Sequence, residues 1–269
     1  MDTNLEGLVF NGEEVSNSFS GKKTRTCSRL IAVEGIDGSG KSTLVRHLSD
    51  SLSSRLKVYS SALTCSDFEV KAFSAWEANG WTKTLRQILV SGGVTDVRCE
   101  AMIAFAARRA LILEKIQPHL DSGGFAIVDR YVATSYAYQC NDHADFKFVT
   151  DLTIGSCAGL LPGLTLYLDV GAQTAIDRLS KRNDVDGIES RGLNFFVDLK
   201  EKFKTAFHIF DSTTDGITVS LNANQPEESV LRAADAIIAM YLDILLLCDQ
   251  NERSAAISEL DRWRLFKGL

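Results

Sequence analysis

A glycine-rich segment at residues 35–42 constrains this chain more than any other feature of its sequence. Its letters, GIDGSGKS, fit the pattern GxxxxGK[ST] and follow a short apolar run at residues 30–34. Leucines then recur at helical spacing, which predicts a strand, a tight turn and a helix. In this context glycines let backbone N–H groups surround a polyphosphate, and the helix N-terminus adds partial positive charge. The segment therefore predicts a site for ATP or GTP.

The residues of this phosphate loop have separate expected roles. Lys41 is expected to reach the β and γ phosphates, and the Ser42 hydroxyl is expected to bind Mg²⁺. Contacts to the phosphates are expected from Gly35, Gly38, Ser39, Gly40, Lys41, Ser42 and Thr43. Asp129 is the predicted metal carboxylate, because it ends the apolar run FAIVD at residues 125–129, and strand ends are where doubly wound sheets bind ligands. Its neighbour Arg130 adds a fixed cation.

Composition argues against several classes of protein. The 269 residues carry 29 basic and 35 acidic side chains, for a net charge of -6, so no overall positive field attracts nucleic acid. The 6 cysteines lie apart without a CxxC pair, which indicates reduced thiols and not a zinc site or a disulfide framework.

No targeting or membrane segment is predicted. The longest apolar tract, at residues 236–248, is too short to cross a bilayer and is interrupted by Asp243. Residues 1–27 contain no continuous apolar stretch of the kind that a signal peptide needs. We therefore expect a cytoplasmic protein with neither a membrane nor a nucleic-acid partner.

Short apolar segments alternate with helical patterns along most of the chain. Besides 30–34, strands are predicted at residues 56–60, 125–129, 165–170 and 217–221. A helix is predicted at about 99–117. Because parallel strands need crossover connections, the alternation predicts an α/β fold with helices on both faces of a parallel sheet. Residues 1–27 are expected to be a flexible N-terminal extension, 28–249 the P-loop domain and 250–269 a C-terminal tail.

Two classes of P-loop protein fit poorly. A switch GTPase would need an NKxD signature, which does not occur, and a nucleic-acid motor would need a longer chain and a basic track. Among the classes of P-loop protein considered, a phosphotransferase that acts on a small molecule remains.

Separated segments between residues 30 and 249 resemble the thymidylate kinases, the P-loop enzymes that phosphorylate dTMP. The segments are EGIDGSGKST at 34–43, FAARR at 105–109, VDRYVATSYAYQ at 128–139, TLYLDV at 165–170, RLSKRNDVDGIE at 178–189 and NANQPEE at 222–228. The resemblance implies a three-layer fold around a five-stranded parallel sheet, with a mobile lid at about 180–192. It also implies γ-phosphoryl transfer from ATP to dTMP with Mg²⁺, and a homodimer formed through the helix near 102–116.

The resemblance implies a base site on one helix. Phe105 and Arg109 are four residues apart and share a helix face, so the ring could stack on a pyrimidine while the guanidinium meets its carbonyl edge. Arg108 competes with Arg109, because a shift of one residue in the alignment exchanges them.

The remaining acceptor contacts are also implied by the resemblance. Asp37 would approach the sugar 3'-hydroxyl, and Arg130 would hold the acceptor phosphate with its planar fork. Thr134, Tyr138 and Gln139 would line the acceptor side, with the Tyr138 ring crowding C2' and disfavouring ribonucleotides.

A lid cation would stabilise the charge that spreads over the moving phosphoryl group. Arg182 is the first choice, and the other basic residues of this region are Arg178, Lys181 and Arg191. Gly187 stands where a lid arginine is common in the family, so Arg182 or Arg191 would have to compensate.

Other departures leave the function open. No arginine follows the predicted strand 56–60, although many family members hold the acceptor phosphate there, and residues 68–81 have no clear counterpart. The alternatives are a kinase for a 5-modified dUMP, such as 5-hydroxymethyl-dUMP, and a catalytically silent nucleotide-binding module.

Overall fold

The computed structural model describes residues 26–63, 67–77, 79–157, 159–181 and 192–246. The strands are β1 Cys27–Glu34, β2 Val70–Ser74, β3 Phe125–Asp129, β4 Pro162–Asp169 and β5 Ile217–Asn222. They form a parallel sheet in the order β2-β3-β1-β4-β5. This confirms the predicted α/β fold and its five-stranded parallel sheet.

Helices flank this sheet. They are α1 Lys41–Leu63, α2 Gly80–Val90, α3 Val97–Leu111, α4 Gln117–Asp121, α5 Val132–Gln139, α6 His143–Cys157, α7 Ala172–Leu179, α8 Leu193–Thr213 and α9 Glu227–Leu246, with a π-helical turn at Ile112–Ile116 between α3 and α4. The consecutive residues Leu30 to Val33 of β1 point to alternate faces and are all buried, so both faces of the sheet are covered. Within the described ranges, no helix has the length and hydropathy to span a membrane.

The strand predicted at residues 56–60 is wrong, because these residues continue α1. Leu48, Leu52 and Leu56 are completely buried along one helix face, and Ser60 extends this face by another turn. Val58, which a strand would also use, is 69% exposed. Burial of this row of leucines therefore favours a helix that continues to Leu63.

The true second strand, β2, lies in the stretch that seemed to have no counterpart. It is an edge strand that pairs with β3, and Phe73 is the one buried side chain of its five residues, so its sequence carries a weak strand signal. No arginine follows this strand either, since the next residues are Ala75, Trp76 and Glu77. The arginine that many family members have after the second strand is therefore absent here too, now that the second strand is placed at β2.

The helix predicted at 99–117 is interrupted. After Leu111 the α-helical pattern widens into the π-helical turn Ile112–Ile116, which runs directly into α4. Pro118 stands at the second position of α4. Proline has no N–H to donate and its ring crowds the carbonyl four residues earlier, which here is that of Glu114.

The sheet register brings the functional segments together. Val33 pairs with Asp129, and Glu34 pairs with Tyr167, so the carboxyl ends of β1, β3 and β4 lie at one edge. The phosphate loop leaves β1 at this edge, and Arg130 follows β3 there. Parallel α/β sheets bind ligands at this edge.

Candidate active site

The phosphate loop requires glycine for steric reasons. Gly38 has a φ of 77°, and a Cβ atom there would lie 2.5 Å from the carbonyl oxygen of Ala175. Gly40 has a φ of 98°, which also disfavours a side chain. The loop backbone can therefore turn tightly against α7 before α1 begins at Lys41.

Lys41 is held over the loop. Its Nζ donates a hydrogen bond of 2.7 Å to the carbonyl oxygen of Ile36, and the side chain is buried. Burial and the nearby charge of Arg130 lower the pKa of Lys41 to about 8, although Asp37 and Asp129 act in the opposite direction. A phosphate ligand would favour the charged amine.

Ser42 and Asp129 form the predicted metal pair. The Ser42 hydroxyl donates to Asp129 Oδ2 over 3.3 Å. The other oxygen, Oδ1, is buried and makes no hydrogen bond within the part of the chain that the structure describes. Mg²⁺ prefers oxygen ligands and is usually held by one or two carboxylates together with water and substrate phosphates. The pair therefore fits a Mg²⁺ ion.

Asp37, a residue of the phosphate loop, forms a compact cluster with Arg130 and Tyr138. Asp37 accepts a hydrogen bond from Arg130 Nη2 through Oδ1, and one of 2.9 Å from the Tyr138 hydroxyl through Oδ2. Burial alone would raise the pKa of Asp37, but the charges of Arg130 and Lys41 outweigh it and hold the pKa at about 2. Burial raises the pKa of Tyr138, which keeps the phenol protonated as a donor.

Arg130 has an unusual backbone. With a φ of 67°, it is the one residue other than glycine that has a positive φ in the described ranges. Its N–H donates to the carbonyl oxygen of Val33 over 3.0 Å, and its Nη1 donates to that of Gly35 over 3.2 Å. Such strained conformations persist where surrounding contacts hold them and often lie at functional sites.

Two further predicted acceptor residues lie on α5. Thr134 is near Arg130, with 3.5 Å between its hydroxyl oxygen and Arg130 Nη1, and this hydroxyl donates to Glu34. Gln139 is buried at the end of the helix, and its Oε1 makes no hydrogen bond to any described residue.

The two arginines of FAARR, Arg108 and Arg109, make different contacts in the structure. The Cζ atom of Arg108 lies 4.4 Å from the ring centroid of Phe105, and Arg108 Nη2 donates to Ser135 Oγ over 2.9 Å. Arg109 instead donates to the carbonyl oxygen of Ser156 on α6 over 3.0 Å. Phe105 is 2% exposed, so its ring is covered in this state. The Nε and Nη1 atoms of Arg108 are buried without partners among the described residues.

A cavity of about 310 Å³ opens behind the phosphate loop. The residues that line it are Gly38, Ser39, Gly40, Thr43, Leu44, Leu168, Arg178, Ala223, Gln225, Glu227, Val230 and Leu231. Arg178 spans its wall, because Nη2 donates to the carbonyl oxygen of Ala223 over 2.9 Å and Nη1 is 3.5 Å from that of Gly38. The cavity thus adjoins the loop that would carry the phosphates of a nucleotide.

Most of the predicted lid lies outside the described residues, and so do Arg182, Gly187 and Arg191. Lys181 is exposed at the end of its described range. Arg178, in contrast, belongs to α7 and faces the phosphate loop.

Sequence reasoning gave no role to Glu34 or to the cavity residues after β5. Glu34 is fully buried at the end of β1 and accepts three hydrogen bonds from Tyr131 and Thr134. Its one sequence signal is a carboxylate at the end of an apolar strand, where a buried charge requires partners.

The parallel sheet and the phosphate loop define a P-loop nucleotide-binding protein. The chain belongs to the thymidylate kinase family, because the sequence model of that family, described as "Thymidylate kinase", matches residues 33–234. A thymidylate kinase of Legionella pneumophila (strain Corby) is 28% identical over 221 residues, which cover 80% of this chain and 96% of the relative. A thymidylate kinase of Alteromonas mediterranea is 28% identical over 216 residues, covering 80% and 90%. The protein is therefore an ATP-dependent nucleoside monophosphate kinase.

Proposed function

We propose that this protein transfers the γ-phosphoryl group of ATP to dTMP, giving dTDP and ADP. The observation that carries the proposal is the cluster in which Arg130 and Tyr138 bind Asp37 of the phosphate loop. It offers a planar guanidinium for a phosphate and a carboxylate for a sugar hydroxyl within one site. The names of the two relatives support dTMP as the acceptor.

The reaction needs positioning and charge neutralisation more than proton transfer. The attacking oxygen belongs to an ionised phosphate monoester, so no general base is required. Lys41 would bind the β and γ phosphates, and Arg130 would hold the acceptor phosphate opposite them. Ser42 and Asp129 would hold Mg²⁺, which neutralises phosphate charge when bound. Arg182 would bring a further cation from the predicted lid.

The acceptor base is proposed to bind at Phe105. Its ring is covered in this state, so the neighbouring side chains must shift before a pyrimidine can stack on it. Arg109 is the partner that the family pattern suggests, whereas Arg108 is the arginine that lies on the ring. The Tyr138 ring, 5.5 Å from the Arg130 Cζ atom, would face the sugar and disfavour a 2'-hydroxyl.

A coupled assay of ADP release tests the reaction. Purified protein is given ATP and Mg²⁺ with dTMP, 5-hydroxymethyl-dUMP, dUMP, dCMP, dGMP or dAMP, and Lys41→Ala is the control for contaminating kinases. Highest kcat/KM with dTMP supports the proposal, and highest kcat/KM with 5-hydroxymethyl-dUMP would support the kinase for a modified pyrimidine. Preference for a purine would contradict both, and nucleotide binding without turnover on any acceptor would indicate a silent module.

The protein is also proposed to form a homodimer through α2, α3 and the π-helical turn. Large apolar side chains are exposed there, with Trp81 at 49%, Met102 at 48% and Leu113 at 53%. Apolar patches on folded proteins often mark interfaces. Analytical ultracentrifugation should show a dimer that Met102→Glu dissociates. Val58→Glu, at an apolar position on α1 that is 69% exposed, should leave the dimer intact.

A further inference from the structure

Glu34 is buried where β1 gives way to the phosphate loop, with a relative exposure of 1%. Its Oε1 accepts hydrogen bonds from the backbone N–H groups of Tyr131, over 2.9 Å, and Thr134, over 3.3 Å. Its Oε2 accepts one of 2.6 Å from the Thr134 hydroxyl. Tyr131 is the N-cap residue of α5 and Thr134 lies in its first turn, and no side chain of the N-cap caps this helix. Glu34 therefore supplies the cap from β1.

The Thr134 hydroxyl connects Glu34 to Arg130. A hydroxyl has one proton to donate and two lone pairs that accept. Because the proton of Thr134 points to Glu34, a lone pair is left to face Arg130 Nη1 at 3.5 Å. The carboxylate thus determines which way the threonine dipole points.

The backbone carbonyl groups on both sides of Glu34 also accept hydrogen bonds from Arg130. The carbonyl oxygen of Val33 accepts the Arg130 N–H, and the carbonyl oxygen of Gly35 accepts Nη1. Glu34 itself holds the N–H of Tyr131, the residue after the strained Arg130. Three consecutive residues of β1 and the loop therefore fix the conformation of this arginine.

The two terminal nitrogen atoms of the Arg130 guanidinium therefore have different partners. Nη1 is bound by the protein scaffold, through Gly35 and Thr134. Nη2 is bound by Asp37, whose carboxylate also belongs to the proposed acceptor site. An acceptor phosphate could replace or share the contact at Nη2 while Nη1 keeps the guanidinium plane in place.

We infer that Glu34 is a positioning residue for acceptor binding, which acts through Thr134 and the first turn of α5 to hold Arg130 towards the acceptor phosphate. The inference rests on the proposed function, in which Arg130 binds that phosphate. Burial raises the pKa of Glu34, and the hydrogen bonds from Thr134 and Tyr131 oppose this shift.

Three variants test the inference by calorimetric titration of dTMP and of ATP, which requires no turnover. Glu34→Gln keeps the shape but turns one acceptor into a donor, so the Thr134 proton must turn towards Arg130. Thr134→Val keeps the shape and removes the connection. Both should weaken dTMP binding by about tenfold, the usual effect of losing a hydrogen bond to a charged group. Thr134→Ser should bind dTMP as wild type does, and ATP binding should stay within about twofold in all three.

Glu201→Gln, an exposed position on α8, is the matched control and should change neither affinity. Equal losses for ATP and dTMP, or a lower melting temperature with unchanged affinities, would show a structural role and overturn the inference. If Glu34→Gln does not fold, Thr134→Val carries the test by itself.

Arg130→Ala separates this inference from the proposed function. If Arg130→Ala binds dTMP as tightly as wild type, the proposed role of Arg130 is wrong and the inference falls with it. If Arg130→Ala loses dTMP affinity while Glu34→Gln and Thr134→Val keep it, only the positioning role of Glu34 is wrong.

Discussion

The Tyr138 hydroxyl donates a hydrogen bond of 2.9 Å to Asp37 across 101 residues of sequence. This bond holds the phenol against the phosphate loop. Phe195 packs edge-on against the same ring, with 6.2 Å between the centroids, and restrains it from the other side.

Tyr138 should control the choice between deoxyribose and ribose. Tyr138→Ala removes the ring that would crowd C2', so the ratio of kcat/KM for dTMP over ribo-TMP should fall by at least about tenfold, the value of a contact of 1.4 kcal/mol. Tyr138→Phe keeps the ring and should preserve most of this ratio. Steady-state kinetics with the two acceptors measures it, and an unchanged ratio in Tyr138→Ala would contradict the prediction.

ATP affinity should depend on pH through Lys41. In the free protein its pKa is about 8, and a bound phosphate raises that pKa. Below pH 8 the amine is already charged, whereas above pH 8 binding must take up a proton, so affinity should fall by up to about tenfold per pH unit. Calorimetry in buffers of different ionisation enthalpy measures the proton uptake.

Lys41→Arg provides the comparison for this pH dependence. A guanidinium stays charged over the whole range, so the variant should show no proton uptake from this position above pH 8. Equal uptake in both proteins would assign the effect to another group.

Asp129 should be required for use of Mg²⁺. Chelation by EDTA should abolish turnover, and Asp129→Asn should lower kcat by about 100-fold at limiting Mg²⁺, with partial recovery at high Mg²⁺. A magnesium titration of the rate measures both effects. Asp151→Asn, at an exposed position on α6, should behave as wild type. Full activity of Asp129→Asn at limiting Mg²⁺ would rule out the proposed ligand role.

The two arginines of α3 should differ in their contribution to base binding. Because Arg108 lies on Phe105 and has two buried nitrogen atoms without described partners, Arg108→Met should raise the KM for dTMP by about tenfold. Arg109→Met should raise it by less than about threefold, since Arg109 is bonded to α6. The opposite order would restore Arg109 as the base contact that the family pattern suggests.

Gly38 should tolerate no side chain. Gly38→Ala would place Cβ against the Ala175 carbonyl at a φ of 77°, so the free energy of unfolding should fall by about 1–3 kcal/mol and ATP binding should weaken. Gly155→Ala, within α6 and with open space around it, should stabilise by up to about 1 kcal/mol. Urea denaturation measures both, and equal effects would contradict the steric argument.

Predictions from sequence succeeded where the determinants are local. The strands predicted at residues 125–129 and 217–221 are short apolar runs. They appear as β3, which is buried beside the central strand, and as the edge strand β5, most of whose side chains are buried. The strand at 56–60 failed because a short segment with Val58 and Tyr59 reads equally well as strand or helix. Packing of the row of leucines in α1 against the sheet favoured the helix. β2 was missed because only Phe73 of its five residues is buried, which leaves its sequence with little apolar pattern.

The sequence by itself determined the phosphate loop, since glycine conformations and the spacing of Lys41 and Ser42 are properties of eight consecutive residues. Tertiary structure alone decided which distant side chains complete the site. Glu34 and Thr134 are 100 residues apart, and Asp37 and Arg130 are 93 apart. Only the pairing of β1 with β3 brings each pair within hydrogen-bonding distance. Only the packing of α3 against α5 and α6 gives Arg108 its bond to Ser135 and Arg109 its bond to Ser156. Local sequence fixes backbone preferences, but contacts between remote residues depend on how the strands and helices pack.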